Sequence, residues 1–135
     1  MIASEKALVR KRTRRLIRLW RDRLGLSRWC ITANYVDGPV RVNGVLREDV
    51  EAACSSQWEY QTCEIDFSLS KCAALDDYLL EEVVIHELLH CFYGPFEGPP
   101  VLEEHMVTTL ARSFQLLRDE CERKAQRTTK EVTTA

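Results

Sequence analysis

The residues best equipped for chemistry are His86-Glu87-Leu88-Leu89-His90, an HExxH string. On a helix, positions four apart lie about one turn apart on the same face, so His86 and His90 can hold one tetrahedral metal ion. Glu87 projects beside that face, where it can reach a metal-bound water without ligating the metal. Zinc is the expected ion, because imidazole and carboxylate suit it and hydrolysis needs no change of redox state. With three His and fourteen Glu in 135 residues, the string arises by chance with a probability on the order of one in a hundred. It also follows the apolar run Val83-Val84-Ile85, and two histidines and a glutamate without partners on such a helix would be costly to bury. His86 and His90 are therefore expected as metal ligands and Glu87 as the catalytic base.

A hydrolytic zinc site takes three protein ligands and keeps a fourth position for water. His90 is followed by Cys91-Phe92-Tyr93-Gly94, so glycine falls one place late for HExxHxxGxxH, and Phe96 stands where that pattern needs histidine. The third ligand must come from Glu103-Glu104-His105, at the start of the next helix. Glu104 sits at the margin of that helix's apolar face, with Val107, Thr108 and Ala111 following at +3, +4 and +7, and Thr108 is placed to hydrogen-bond a ligand. Glu104 is the expected third ligand. Glu103, in line with Leu110, Phe114 and Leu117, remains an alternative, and His105 points away as a surface residue.

The helix that carries the motif starts at Leu75-Asp76-Asp77 and runs to about Phe92, acids favouring its positive end. Tyr93 to Pro100, rich in Gly and Pro, must be loop. A last helix spans Val101 to about Lys124, and the polar stretch 125–135 reads as a flexible tail. At the N-terminus, Val9, Leu16, Ile17, Trp20 and Leu24, with Thr13 in the remaining slot, predict an amphipathic helix over residues 4–25, ended by Gly25. Strands are expected at 29–35, 50–58 and 62–69. Val40, Val42 and Val45 around Asn43-Gly44 fit either a short hairpin or a loop. The strand at Thr62–Phe67 is expected to offer a free edge to an extended peptide, with Glu64 and Asp66 on a solvated face. Tyr60, Tyr78 and Tyr93 are candidates for an oxyanion donor, none of them favoured.

Glu104-His105-Met106-Val107-Thr108-Thr109-Leu110-Ala111 resembles the Glu-x-x-Ala-Asn/Asp-x-Phe-Ala segment downstream of HExxH in ImmA/IrrE-type and related minimal gluzincin metallopeptidases. Val107 and Thr108 depart from it, standing where Ala and Asn or Asp are usual. The wider layout is a basic helix, a Trp-Ile strand, two strands, HELLH and a Glu-Glu helix. Over about residues 16–118 it resembles small phage- and prophage-encoded zinc metallopeptidases and, more distantly, SprT-type proteins. The resemblance implies an α+β zincin-like domain over residues 1–135, with an N-terminal helix, a small three-stranded sheet, an HExxH helix and a C-terminal helix. It implies a zinc-dependent endopeptidase acting on peptide or protein, in a bacterial host cytoplasm.

Composition fits this. Hydrophobic residues at 45% and charged residues at 30% are globular values, and no apolar run approaches the ~20 residues that cross a bilayer. The charged N-terminus lacks the apolar core of a secretory signal. Six cysteines without a CxxC pair read as reduced, mostly buried small hydrophobes. Residues 1–28 carry ten Lys/Arg against two acids, whereas residues 29–135 carry nine against nineteen. The basic helix can cover the acidic body, or it can bind nucleic acid through Arg10, Lys11, Arg12, Arg14 and Arg15. A non-catalytic, zinc-stabilised interaction module is the remaining alternative.

Overall fold

The computed structural model describes residues 1–96 and 98–134. In chain order the elements are α1 (Ala3–Arg23), β1 (Cys30–Val36), β2 (Val40–Val42), β3 (Val45–Arg47), β4 (Ala52–Gln57), a 3-10 turn (Trp58–Tyr60), β5 (Thr62–Ser68), α2 (Leu69–Ala73), α3 (Asp77–Leu89), a second 3-10 turn (His90–Phe92) and α4 (Pro100–Thr134). The architecture is α+β, as expected.

Helix α1 buries Val9, Thr13, Ile17 and Trp20 along one stripe. It ends where Gly25 takes φ +76°. There Gly25 N–H donates to Asp22 O and Leu26 N–H to Arg21 O, a Schellman closure that only a residue without Cβ adopts at little cost. Thr13 fills the polar slot by sharing a 2.6 Å hydrogen bond with the Tyr35 hydroxyl of β1. Arg12 donates to Asp77 Oδ1 and Leu75 O, and Lys6 pairs with Asp37, so part of the basic helix does clasp the acidic body.

The main sheet has the order β1-β5-β4, with β1 parallel and β4 antiparallel to β5. Cys63, Ile65 and Phe67 of β5 are buried, and Glu64 on the opposite face is exposed, the alternation of a one-sided sheet. Contrary to expectation, Thr62–Phe67 offers no free edge. Because β5 is paired on both sides, the outer strand near the HExxH helix is β4. Residues 40–47 form a hairpin, β2 with β3, turning at Asn43-Gly44 with φ of 52° and 81°.

Helix α3 is capped by Asp76, whose carboxylate accepts from Leu79 N–H at 2.8 Å. It buries Leu80, Glu81, Val84, Ile85, Glu87, Leu88 and Leu89, nearly its whole circumference, because α1, the sheet and α4 surround it. Glu81, 5% exposed, is held by both guanidinium nitrogens of Arg118, by Gln115 Nε2 and by Trp20 Nε1. Burial alone would raise its pKa, but these donors outweigh burial and lower it. The cluster ties α1, α3 and α4 together.

Helix α4 differs from expectation in two ways. Its buried stripe is Val107, Ala111 and Gln115, whereas Leu117 is exposed and Leu110 and Phe114 are half-buried. The face is therefore rotated towards the side that carries Glu104. The helix also continues past Lys124 to Thr134. Ala125, Gln126, Arg127, Lys130 and Glu131 are good helix formers, Lys124 and Glu120 are ion-paired at 4.0 Å, and the Thr128 and Thr129 hydroxyls bond to carbonyls one turn back.

Candidate metal centre

Both motif histidines project from the last turn of α3 and its 3-10 extension, their ring centroids 5.1 Å apart and their planes inclined at 67°. Glu104, in the first turns of α4, meets both. Its Oε2 lies 3.1 Å from His86 Nε2 and its Oε1 lies 3.1 Å from His90 Nε2. Donor atoms of the three side chains all fall within 4.8 Å of one another. Two ligands on a tetrahedral zinc stand about 3.4 Å apart, so the two Glu104 contacts are close to what one ion requires.

The outer ring nitrogens explain why these donors suit a cation. His90 Nδ1 is 2.9 Å from Glu103 Oε1, and His86 Nδ1 is 3.3 Å from Thr108 Oγ1. A carboxylate accepts only, so Glu103 fixes the His90 proton on Nδ1. His90 Nε2, on the far side of the ring, then faces the carboxylate of Glu104 at 3.1 Å, and a positive charge between the two, a proton or a metal ion, would hold both. Burial also lowers the His86 pKa, favouring the neutral ring that a metal needs.

The three candidates on α4 thus separate. Glu104 joins the two Nε2 atoms, and Glu103 orients His90 from behind, a role that its place in the sequence does not announce. His105 is exposed, as expected. Helical rotation accounts for the split: Glu104 lies one turn before Val107 and Thr108 on the side facing α3, and Glu103 is turned about 100° away.

Glu87 is 6% exposed, and its carboxyl borders a cleft also lined by His86, His90, Glu103, Glu104 and Thr108. Burial pushes its pKa up to about 7; His90 works against this, and Glu104, Cys63 and Glu51 add to it. A carboxyl poised there can both take and return a proton near neutrality.

The cleft has a volume of about 1180 Å³ and is open to solvent. One wall is β4, from Ala52 to Ser56, and another is the β2–β3 hairpin with Arg41, Asn43 and Arg47. Arg112 of α4 completes a rim. Neither the hairpin residues nor Arg112 stand out in the sequence, because nothing in their spacing ties them to the motif. Of the tyrosines, Tyr60 is exposed, Tyr78 donates to Asp119 and Tyr93 tilts against Phe96. None of the three lines the cleft. Glu64 is solvated as expected, whereas Asp66 accepts from Asn34 Nδ2 and borders the cleft.

All six cysteines are free and, as expected, most are at least partly buried: Cys63, Cys72 and Cys91 are buried and Cys54 half-buried, with Cys30 and Cys121 exposed. Among the described residues no helix is long and apolar enough to cross a membrane. No protein-family model matches this chain, and neither a curated protein nor a solved structure matches it.

Proposed function

We propose that the protein is a zinc-dependent endopeptidase of the minimal gluzincin kind, with His86, His90 and Glu104 as ligands and Glu87 as general base. One observation carries this reading: the Nε2 atoms of two histidines and a carboxylate from the next helix converge at 3.1 Å contacts, with a buried acid beside them at the cleft wall. Zinc bound there supplies a lowered pKa for water and polarisation of the scissile carbonyl. Glu87 takes the proton of the attacking water and returns it to the leaving amine. Glu103 keeps the His90 imidazole in the tautomer that presents Nε2, and Thr108 orients the His86 ring. An extended peptide adds to the outer edge of β4, its backbone groups paired as in a further strand.

A purely structural metal site gives no reason for a buried glutamate that faces the cleft, and this separates the enzyme from a non-catalytic module. Metal analysis of the purified protein, beside Glu104→Ala, Glu103→Ala and Glu87→Gln, tests the assignment. One equivalent of zinc is expected in wild type and in Glu87→Gln, with cleavage of an unfolded protein substrate only in wild type. Wild-type protein without zinc, or a Glu87→Gln variant that still cleaves, overturns it.

A second reading is favoured by the surface of α1. Lys11, Arg14, Arg15 and Arg18 are all exposed, with no acidic side chain within salt-bridge distance among the described residues, whereas Lys6 and Arg12 are engaged with the body. Such a row suits phosphate contacts, and nucleic-acid association is compatible with the peptidase.

A further inference from the structure

Immediately behind His90 lies a second group of donors that the proposed hydrolysis does not use. Cys54 of β4, Cys63 of β5 and Cys91 of the 3-10 turn bring their sulfurs within 4.8 Å of one another, with no imidazole or carboxylate in the group. Cys54 Sγ and Cys63 Sγ are 3.2 Å apart. Cys63 and Cys91 are 1% and 2% exposed.

Three elements converge to make this cluster. In the β4–β5 register Cys63 stands opposite Ser56, and Cys54 stands opposite Ile65, so the two cysteines are diagonal neighbours on the face that packs towards α3. Cys91 follows the metal-facing His90 and turns inward where His90 turns to the cleft. A thiol is a weak donor and a weak acceptor, so three of them gain little from meeting one another. A slot asking only for small apolar bulk is met as well by alanine or valine. A disulfide is an inferior account of the pair, because diagonal strand neighbours have Cα atoms about 7–8 Å apart and a disulfide wants roughly 4.4–6.8 Å.

Sulfurs bound to one ion at about 2.3 Å stand about 3.8–4.0 Å from each other. The cluster is within a small side-chain adjustment of that spacing. Soft thiolates select soft ions, and with three sulfurs and no fourth donor grouped with them among the described residues the group suits an ion content with three ligands, such as copper(I), in addition to zinc or cadmium.

We infer that Cys54, Cys63 and Cys91 form a thiolate site for a soft d10 cation, separate from the histidine–carboxylate centre and fastening β4 and β5 to the end of the HExxH helix. Each thiol releases its proton to solvent as its sulfur takes the ion. The site does not depend on the peptidase reading, since it shares no ligand with the other centre.

The test uses the full chain carrying Cys30→Ser and Cys121→Ser, which removes the exposed thiols, kept reduced and titrated with cadmium and, separately, with copper(I). A sulfur-to-metal charge-transfer absorption that saturates at one equivalent of bound ion is expected. The absorption should persist when His86→Ala and Glu104→Ala are added. Adding Cys54→Ser should weaken the ion at least tenfold while circular dichroism stays unchanged, and Cys72→Ala, a buried cysteine outside the cluster, should leave the titration as it was. No charge-transfer absorption in the folded, reduced chain overturns the inference. So does an absorption that survives Cys54→Ser and Cys63→Ser together.

Discussion

Replacing Glu87 with glutamine removes a carboxyl that the fold holds against its own ionisation. In the metal-free protein this group has a pKa of about 7 against an ordinary value of 4.5, so the native state binds its proton more tightly than the unfolded chain does. Below about pH 4.5 both states are protonated and the group is neutral with respect to stability. Between pH 4.5 and 7 the unfolded chain ionises first, and native stability declines. Above about pH 7 the loss is complete, about 3 kcal/mol at 1.36 kcal/mol per pH unit. Glu87→Gln keeps the side chain's size and abolishes that titration. The metal-free variant should lie within about 1 kcal/mol of wild type at pH 5 and exceed it at pH 8 by about 3 kcal/mol, or roughly 10 °C in Tm for a chain of this length. Urea denaturation of both chelator-treated proteins across pH 5 to 8 reads this directly, and restoring zinc should shrink the difference, because a cation beside the carboxyl favours its ionised form. The same variant should lose hydrolysis. Parallel stability profiles for the two proteins across the whole range would refute the buried-acid reasoning.

Other perturbations separate the neighbouring groups. Glu104→Ala should abolish zinc retention, and Glu103→Ala or Thr108→Val should weaken it by about 10- to 100-fold, as read by competition with a chromogenic chelator. Arg118→Ala leaves Glu81 buried without its main partner and should cost about 3–5 kcal/mol in chemical denaturation. Because the Glu81 pKa is lowered in the native state, the stability it lends is present at neutral pH and fades as acid carries the protein down through that pKa. Changing Lys11, Arg14, Arg15 and Arg18 to glutamine should flatten the salt dependence of any DNA binding. Binding with an unaltered salt slope would exclude the α1 surface as the contact.

What the sequence makes legible follows from how local each signal is. The stripe of α1, its stop at Gly25, the helix start at Asp76 and the alternation of Cys63, Ile65 and Phe67 are all written within one turn or one strand, and the structure agrees with each. The motif histidines are readable for the same reason, since i and i+4 on a helix need no tertiary information. Strand order is not local. Chain order points to β5 as the edge because it precedes the HExxH helix, yet β1 and β4 enclose it. A helical wheel of α4 misleads because Leu110, Phe114 and Leu117 are larger than Val107 and Ala111 and so dominate a hydrophobic count. Close approach to α3 instead selects the small residues. The thiol cluster is invisible in the sequence because its members are nine and twenty-eight residues apart along the chain and meet only through β-register and the end of α3.

Helix α3 and its 3-10 extension carry four groups that burial penalises, and the fold compensates them unequally. Glu81 receives the Arg118 fork, Gln115 and Trp20. His90 has Glu103 and His86 has Thr108 on their outer nitrogens, an arrangement that leaves the inner nitrogens directed at Glu104. Glu87 alone, 6% exposed, has no side-chain hydrogen bond or ion pair among the described residues. The pattern of compensation therefore fits the division of labour proposed above. The fully satisfied acid ties α1, α3 and α4 together, and the half-satisfied rings are those proposed as metal ligands. The acid without a side-chain partner is the one proposed as general base.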